Sequence, residues 1–242
     1  MRFKKILFYL YLLLIALLSL VMFFNPESRL LGITRVIIIL CLASFLGLYH
    51  FLLKGRRFSV GVGKFIFLTW ISAMIVEAAF MISDPVDMSV LVVVGETPTV
   101  QAIKNTLIDF LITTPAYVTT ALVFWMFLKK YSYSTFEFII FSTLVGLFGD
   151  SINIWFSPGY WIFFPAFTFL YHAIFLPAFL LAKGSLGTNQ TSWRKKTLMS
   201  VAGVVVYQSY IFNFFLGVVV SLITIAVYFL KFKKQPSMGK EK

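Results

Sequence analysis

The chain has 242 residues, of which 60% are hydrophobic and only 12% are charged. Runs of about 20 apolar residues recur, and each is long enough to cross a hydrocarbon core roughly 30 Å thick. This composition excludes a soluble globular protein and predicts an all-α, polytopic transmembrane helical bundle. The net charge is +12, but the basic residues lie in short segments between apolar runs, where they set membrane orientation. We therefore expect no nucleic-acid partner.

The cysteine and glycine residues limit which disulfides, metal sites and cofactor sites the chain can form. The single cysteine, Cys41, lies inside an apolar run, so an intramolecular disulfide cannot form and a thiolate metal site is not expected. The sequence has no glycine-rich phosphate loop after a strand and no paired-histidine metal motif. We expect neither a metal nor a cofactor.

The apolar runs predict about seven helices. They cover residues 6–24, 33–53, 65–83, 106–128, 136–156, 161–182 and 198–230. The first follows a basic N-terminal segment, as a signal peptide would, but its apolar run is too long and lacks a small-residue cleavage site. We expect an uncleaved helix.

Lysine and arginine are concentrated on one predicted side of the membrane, which holds the N-terminus and which we expect to be cytosolic. The inner segments carry Arg2, Lys4, Lys5, Lys54, Arg56, Arg57, Lys64, Lys129, Lys130, Lys183, Arg194, Lys195 and Lys196. The outer segments carry only Arg29, Arg35 and Lys104 among basic residues. The membrane is expected to be that of the endoplasmic reticulum if the source is eukaryotic, and the inner membrane if it is bacterial.

The last apolar run, residues 198–230, leaves two alternatives open. One straight helix of this length would extend about 50 Å, which exceeds the membrane thickness. It would also carry Lys231, Lys233 and Lys234 to the outer side, against the charge bias. The alternative is a helix broken near Gln208 to Asn213. We favour one tilted helix because two full crossings need more residues, with residues 231–242 as a basic cytosolic or exposed tail.

Three acids lie inside apolar runs: Glu77, Asp109 and Asp150. A carboxylate there costs about 2.5 to 3.5 kcal/mol on insertion, so each is a functional candidate. Counting along the helices places all three about 10 Å inside the outer end. Each belongs to a row of small or polar residues that should face the bundle interior. The rows are Thr69, Ala73 and Glu77; Asp109, Thr113, Ala116 and Thr120; and Gly146, Asp150 and Asn153.

Buried carboxyls of this kind fit two roles. A carboxyl in an apolar pocket can hold a proton at neutral pH and release it, as a general acid must. The alternative is that the acids only bond neighbouring helices together.

Two further residues are candidates for the same pocket. His172 lies near the middle of the sixth predicted helix, with Thr168 one turn earlier on the same face. The pair either lines a cavity with the acids or is purely structural. Trp155, close after Asp150, is the aromatic residue best placed to stabilise a cation.

In order and spacing, these residues resemble the emopamil-binding protein family, the sterol isomerases of the EXPERA-type membrane superfamily. The similarity runs from Gly55 to Lys183 through Gly55-Arg56-Arg57, Ile75-Val76-Glu77, Leu128-Lys129-Lys130, the segment from Val145 to Asp150, and the aromatic segment from Trp161 to Pro177. It implies an EXPERA-like five-helix core within residues 31–183. The flanking parts are an extra N-terminal helix (1–30), a cytosolic loop (184–197) and a C-terminal transmembrane helix (198–230).

The resemblance implies that a double bond of a sterol or other isoprenoid is protonated to a carbocation and deprotonated elsewhere, without a cofactor. Glu77 matches the family's catalytic glutamate and Asp109 a second one, while His172 and Phe175 lie near its pocket asparagine and tryptophan. We predict catalytic roles for Glu77, Asp109 and His172. The predicted substrate-binding residues are Asp150, Asn153, Trp155, Thr113, Thr168 and Phe175.

Two positions depart from the family pattern. Ala73 stands where the isomerases carry a histidine, and Asp109 is shorter than their second glutamate. We therefore hypothesise that His172 supplies a replacement imidazole.

Other functions stay open. The length and helix number are similar to those of membrane-bound fungal terpene cyclases, so a cyclase is one alternative, and a non-catalytic sterol- or lipid-binding protein is another. A proton-coupled transporter is less favoured because the chain shows no duplicated half. The expected partners are membrane lipid and a lipid-soluble sterol or isoprenoid substrate, and a homodimer is also possible.

Overall fold

The computed structural model describes residues 2–53, 55–56, 58–85, 87–149 and 164–231, and these ranges contain eight α-helices and no strand. The helices are α1 (Arg2–Phe24), α2 (Arg29–Leu48), α3 (Val62–Phe80), α4 (Thr99–Lys130), α5 (Thr135–Gly149), α6 (Phe164–Ala182), α7 (Trp193–Phe212) and α8 (Phe214–Lys231). The predicted all-α class is confirmed.

Five stretches are long and apolar enough to cross a membrane. They are Pro26–Leu53, Val62–Phe80, Thr99–Lys130, Thr168–Ser185 and Phe214–Lys231. By length and composition the chain is thus a polytopic helical membrane protein, as predicted. α4 begins at Thr99, well before residue 106, because its first turns carry polar residues that a hydrophobicity pattern does not register.

α3 and α4 pack antiparallel. Near one end of the pair, Phe65 lies against Trp125 with ring centroids 5.4 Å apart. Further along α3, the Trp70 Nε1 donates a hydrogen bond of 2.9 Å to Thr114 Oγ1. Moving forward along α3 therefore means moving backward along α4.

α5 and α6 are also antiparallel. The rings of Phe138 and Phe179 stack 4.1 Å apart, whereas Gly146, two turns further along α5, lies against the ring of Tyr171. α6 packs against α1, α2, α3 and α5, and α7 packs against α4, α5 and α8. The interior faces of α3, α4, α6 and α7 thereby come together.

The single helix favoured for residues 198–230 is wrong, and the broken alternative is correct. The helix is interrupted at Asn213, whose backbone is extended (φ −166°, ψ 127°). The Asn213 Oδ1 accepts hydrogen bonds from the backbone N–H groups of Phe215 (2.8 Å) and Leu216 (3.3 Å). Asparagine is among the best N-cap residues because its side chain satisfies these otherwise unpaired donors, so it ends one helix and starts the next.

α8 folds back along α7. Gly217 lies against the ring of Tyr210, and the Tyr210 hydroxyl is 2.6 Å from the Ser221 Oγ. Ser221 also lies 2.7 Å from Thr119 Oγ1 on α4. The two helices form an antiparallel hairpin, so Lys231 returns toward the end of the bundle where α7 begins.

The two ends of the bundle differ in charge. We call the end that holds the loop between α3 and α4 the acidic end, since this loop carries Asp84, Asp87 and Glu96. The opposite end, where α4 ends and α7 begins, is the basic end. Its basic residues include Lys129, Lys130, Lys183, Arg194 and Lys195.

Arg35, which the charge count assigns to the outer side, is buried near the acidic end of the bundle. It lies within α2, is 1% exposed, and its guanidinium donates to the backbone carbonyl of Leu31 (3.1 Å) and lies 5.8 Å from the Phe80 ring centroid. Partial burial raises the pKa of the nearby Asp84 carboxyl, and the Arg35 charge opposes that rise. Arg35 thus ties α2 to the end of α3.

Candidate functional site

The row on α3 that contains Glu77 faces the interior, as predicted. Thr69 and Ala73 are fully buried and Glu77 is 9% exposed. The three residues are spaced by four, which places them on one side of the helix. α3 therefore delivers a carboxyl group to the middle of the bundle.

Tyr117 on α4 is a hydrogen-bond partner of that carboxyl. Its hydroxyl donates to the Glu77 Oε1, and its side chain is 7% exposed. The long side chain of Tyr117 reaches the carboxyl from the neighbouring helix. A phenol that donates to a carboxyl holds it in one orientation, so the acid has a fixed direction in the interior.

Two more tyrosines lie next to this pair. The ring of Tyr207 on α7 meets the ring of Tyr117 edge-on at 5.7 Å, and Tyr171 on α6 meets Tyr207 in the same way at 5.5 Å. Phe175 stacks on Tyr171 at 6.4 Å. We call Glu77, Tyr117, Tyr171 and Tyr207 the Glu77 cluster; it combines one acid with three aromatic rings from three other helices.

Glycines on α5 make room for these rings. A Cβ atom at Gly146 would overlap the Tyr171 ring, and one at Gly149 would lie 3.0 Å from the Tyr207 Cβ. The two glycines are one turn apart and so form a flat surface on α5. Close packing against Tyr171 and Tyr207 therefore explains the two glycines in the segment from Val145 to Gly149.

Asp109 is fully buried, as predicted, but lies further toward the acidic end. It is two turns before Tyr117, about 12 Å along the axis of α4. One turn away, the hydroxyl of Thr113 donates to the Asp109 backbone carbonyl (2.9 Å). The Glu77 carboxyl hydrogen-bonds Tyr117 of α4, whereas Asp109 shares its helix face with Thr113.

His172 belongs to a second polar cluster. Its Nε2 is 2.6 Å from Thr143 Oγ1 and 3.2 Å from the Ile139 carbonyl oxygen on α5. Its ring meets Tyr11 of α1 edge-on at 5.7 Å, and the Tyr11 hydroxyl is 3.4 Å from Thr168 Oγ1. His172 and Thr168 therefore share a face, as predicted, and that face points to α1 and α5.

The hypothesis that His172 replaces the missing histidine beside Glu77 gains no support from this arrangement. Tyr171 faces the Glu77 cluster, and the next residue on a helix points about 100° away. The group that meets the Glu77 carboxyl comes from α4 instead.

Of the other predicted pocket residues, the structure describes Phe175 and Thr113. Phe175 is fully buried beside the Glu77 cluster, and Thr113 is 8% exposed on the row of Asp109. Asp150, Asn153 and Trp155 lie outside the described residues.

Sequence reasoning missed Tyr117, Tyr207 and Tyr11. Tyr117 follows Asp109 and Thr113 at a spacing of four, so the periodicity contained a signal for it. Tyr207 lies in the last apolar run, beyond the part of the chain that resembles the isomerases. Tyr11 lies before that part and carried no pattern that pointed to His172.

Two apolar grooves open on the sides of α3. One, of about 220 Å³, lies between α2, α3 and α6 and is lined mainly by aliphatic side chains, with Cys41 and Ser72 as its more polar members. The other, of about 310 Å³, lies between α3 and α4 and is lined by Trp70, Ile71, Met74, Ile75, Ala78 and Phe110. The lining of the second groove includes Ala78 and Phe110, the chain neighbours of Glu77 and Asp109, but no residue of the Glu77 cluster.

Among the described residues, no group of three or more histidine, cysteine, aspartate or glutamate side chains is arranged to hold a metal ion. Comparisons with protein-family models, curated proteins and solved structures give no significant match.

Proposed function

We propose that the chain is an integral-membrane isomerase that moves a carbon–carbon double bond in a sterol or another isoprenoid by acid–base catalysis. The observation that carries this proposal is the Glu77 carboxyl, buried between apolar helices and held by the Tyr117 hydroxyl. A buried carboxyl costs insertion energy, and one that is held in a fixed orientation among apolar helices suits proton transfer to a hydrocarbon.

In the proposed reaction, protonated Glu77 transfers its proton to one carbon of the double bond. The π electrons form the new C–H bond, and the adjacent carbon becomes a carbocation. A carboxylate then removes a proton from a neighbouring carbon, and the electrons of that C–H bond form the shifted double bond. Asp109 is the candidate base on α4. No oxidant or reductant is consumed.

Tyr117 has the role of positioning residue. The isomerases that the sequence resembles carry a histidine one turn before their glutamate, at the position of Ala73 here. Tyr117 reaches the same carboxyl from α4, so a phenol takes over the hydrogen bond that an imidazole would supply.

The aromatic rings support the cationic step. The faces of Tyr171, Tyr207 and Phe175 lie within ring-contact distance of one another. An aromatic face stabilises a cation by about 0.5 to 2 kcal/mol. Several such faces around one site lower the free energy of a carbocation relative to its uncharged precursor.

Substrate access fits the groove between α3 and α4. Its volume of about 310 Å³ is at the lower limit of the roughly 300 to 1,000 Å³ typical of small-molecule sites. Its lining is apolar, and the flexible Met74 side chain and the Trp70 ring can adapt to the surface of a polyisoprenoid or sterol.

The proposal is tested by expressing the chain in yeast that lacks its own sterol isomerase and profiling the sterols. We expect the wild-type chain and the exposed-loop variant Glu96→Gln to restore the shifted sterol, and Glu77→Gln to accumulate the precursor. Equal restoration by Glu77→Gln would refute the assignment. If no sterol is converted, purified protein with linear and epoxidised isoprenoids tests the cyclase alternative directly.

A non-catalytic lipid binder is the second candidate, and the groove between α2, α3 and α6 favours it. At about 220 Å³ this groove is smaller than a typical small-molecule site, so it would hold one hydrocarbon chain rather than a whole sterol. Saturable binding of a radiolabelled single-chain cationic amphiphile, without conversion of any isoprenoid, would select the binder over the enzyme.

A further inference from the structure

The groove between α2, α3 and α6 runs along these three helices. Its lining follows residues 38–45 of α2, 68–76 of α3 and 173–181 of α6, at the spacing of three or four that marks one face of a helix. Eight residues of α3 or α6 rise about 12 Å. The groove is therefore an elongated apolar site, and its shape fits a single hydrocarbon chain that lies parallel to the helices.

The loop between α2 and α3 lies where the three walls of this groove meet at the basic end. It joins two of the walls, and it is fixed to the third by Ser185, four residues after Leu181. The Ser185 hydroxyl accepts a hydrogen bond from the Val60 backbone N–H (3.1 Å) and donates one to the Phe58 carbonyl (2.8 Å). Because Val60 is also buried in the core, the end of this loop has a defined position beside the groove.

Two exposed cations lie at this end of the groove. Lys64 is on α3, four residues before Leu68 of the groove lining and thus on the same helix face. Arg56 is in the loop between α2 and α3. Neither side chain forms an ion pair with another residue in the described part of the chain. Lys54 and Arg57 belong to the same loop in sequence and lie outside the described residues.

The acidic end of the groove has a different character. There the Ser83 hydroxyl donates to Thr34 Oγ1 (3.2 Å), and the Arg35 guanidinium lies 5.8 Å from the Phe80 ring centroid, so α2 and α3 are joined directly. Arg35 is 1% exposed, and the loop that follows α3 carries the Asp84 carboxyl. Along the walls of the groove, the cations that a ligand can reach are therefore those at the basic end.

We propose that this groove binds an anionic phospholipid, with one acyl chain along the groove and the phosphate at Arg56 and Lys64. Guanidinium and ammonium groups are the side chains that bind phosphate best. Basic segments at the membrane surface attract anionic lipids, and the groove gives one lipid a fixed position. The inference concerns the groove that the non-catalytic binder would use, and it holds whether or not the chain converts an isoprenoid.

The test uses phospholipids that carry a photoactivatable diazirine on one acyl chain. The full chain is reconstituted in phosphatidylcholine vesicles that contain a small fraction of labelled phosphatidylglycerol or labelled phosphatidylcholine, and mass spectrometry locates the adducts. We expect adducts at the groove residues of α2 and α3, several-fold more abundant with phosphatidylglycerol. Equal labelling by the two lipids would overturn the inference. Loss of the adducts in the presence of glycerol phosphate would also overturn it, because the site would then bind a free phosphate.

Removing the two cations should abolish the preference for phosphatidylglycerol. In the double variant Arg56→Gln and Lys64→Gln, we expect labelling of the groove by phosphatidylglycerol to fall to the level of phosphatidylcholine. The matched control is Arg194→Gln with Lys195→Gln, which removes two exposed charges from the same end of the bundle, at the start of α7. An equal fall in both double variants would mean that the basic end attracts anionic lipid generally, which contradicts a site at the groove.

Filling the groove gives a second test of the same site. Ser72 lines the groove, so Ser72→Phe should reduce labelling of the groove by phosphatidylglycerol several-fold, whereas Ser72→Ala should keep it. If Ser72→Phe does not fold, Cys41→Phe on the α2 wall makes the same measurement. Unchanged labelling in a filled groove would show that no chain lies there and would overturn the inference. Isoprenoid turnover, measured on the same samples, tests the proposed isomerase separately, and its absence would leave the labelling result unchanged.

Discussion

Tyr117 of α4 donates its phenolic hydrogen to the carboxyl of Glu77 on α3, and both side chains are at least nine-tenths buried. α3 and α4 run antiparallel, as the contacts Phe65 to Trp125 and Trp70 to Thr114 establish, and the Tyr117 side chain crosses from one helix to the other. The contact gives the bundle one oriented acid in its interior.

Removing the Tyr117 hydroxyl should impair catalysis without unfolding the protein. Tyr117→Phe keeps the ring packed on Tyr207 but leaves the Glu77 carboxyl without this donor. A hydrogen bond to an ionisable group is worth about 1.5 to 3 kcal/mol, so we expect kcat to fall about 10- to 100-fold. Isoprenoid turnover by purified protein measures this. Tyr131→Phe, in the loop after α4, should keep full activity. Equal rates for both variants would contradict a positioning role for Tyr117.

The close approach of α5 to Tyr171 predicts a difference between two glycine substitutions. Gly146→Ala should lower the free energy of unfolding by about 1 to 3 kcal/mol, because the new methyl group overlaps the Tyr171 ring and overpacking costs that much. Gly47→Ala, on α2, meets no atom within 4 Å and should be neutral or stabilising by up to about 1 kcal/mol. Thermal unfolding in detergent compares them, and similar effects would contradict the packing described.

Two neighbouring threonines on α4 should respond in opposite ways to valine. The Thr120 hydroxyl is fully buried and has no hydrogen-bond partner among the described residues, so Thr120→Val should leave stability unchanged or raise it by about 1 kcal/mol. Thr119 lies 2.7 Å from the Ser221 hydroxyl on α8, so Thr119→Val should cost about 1 kcal/mol. Chemical denaturation in detergent measures both. A marked loss for Thr120→Val would mean that its hydroxyl has a partner we have not described.

Some of this architecture follows from the sequence alone. Hydrophobic runs predict the helices, and the spacing of Thr69, Ala73 and Glu77 predicts which face of α3 is buried, because both signals are local. The partner of Glu77 is not local. It depends on the register between α3 and α4, which no periodicity within either helix contains.

Arg35, which the charge count assigns to the outer side, lies within α2, where the carbonyl of Leu31, the ring of Phe80 and the field of Asp84 accommodate it. The error over the last apolar run has a physical cause, because hydropathy does not distinguish a long helix from a hairpin. The deciding signal was an asparagine able to cap α8.

The hairpin of α7 and α8 predicts the location of the C-terminus. Because α8 returns along α7, the C-terminus should lie on the same side of the membrane as the loop between α6 and α7. Reporter fusions that fluoresce or are enzymatically active on only one side, placed after Lys242 and after Gly187, measure this. We expect the same signal from both fusions. Opposite signals would show that α8 does not cross back.

The cap itself can be tested separately. Asn213→Ala removes the acceptor for the N–H groups of Phe215 and Leu216 and should lower the free energy of unfolding by about 1 kcal/mol. Asn213→Asp keeps an acceptor and should retain most of the stability. An equal loss in both variants would mean that the side chain does not cap α8.

The proposal that Glu77 delivers a proton to carbon is tested most directly by running the reaction in D₂O and locating deuterium in the isoprenoid product by mass spectrometry and NMR. We predict that the wild-type chain and Glu96→Gln place deuterium at the carbon that gains the new C–H bond, and that Glu77→Gln gives neither product nor deuterium exchange into recovered substrate. Deuterated product from Glu77→Gln at the wild-type rate would contradict the account.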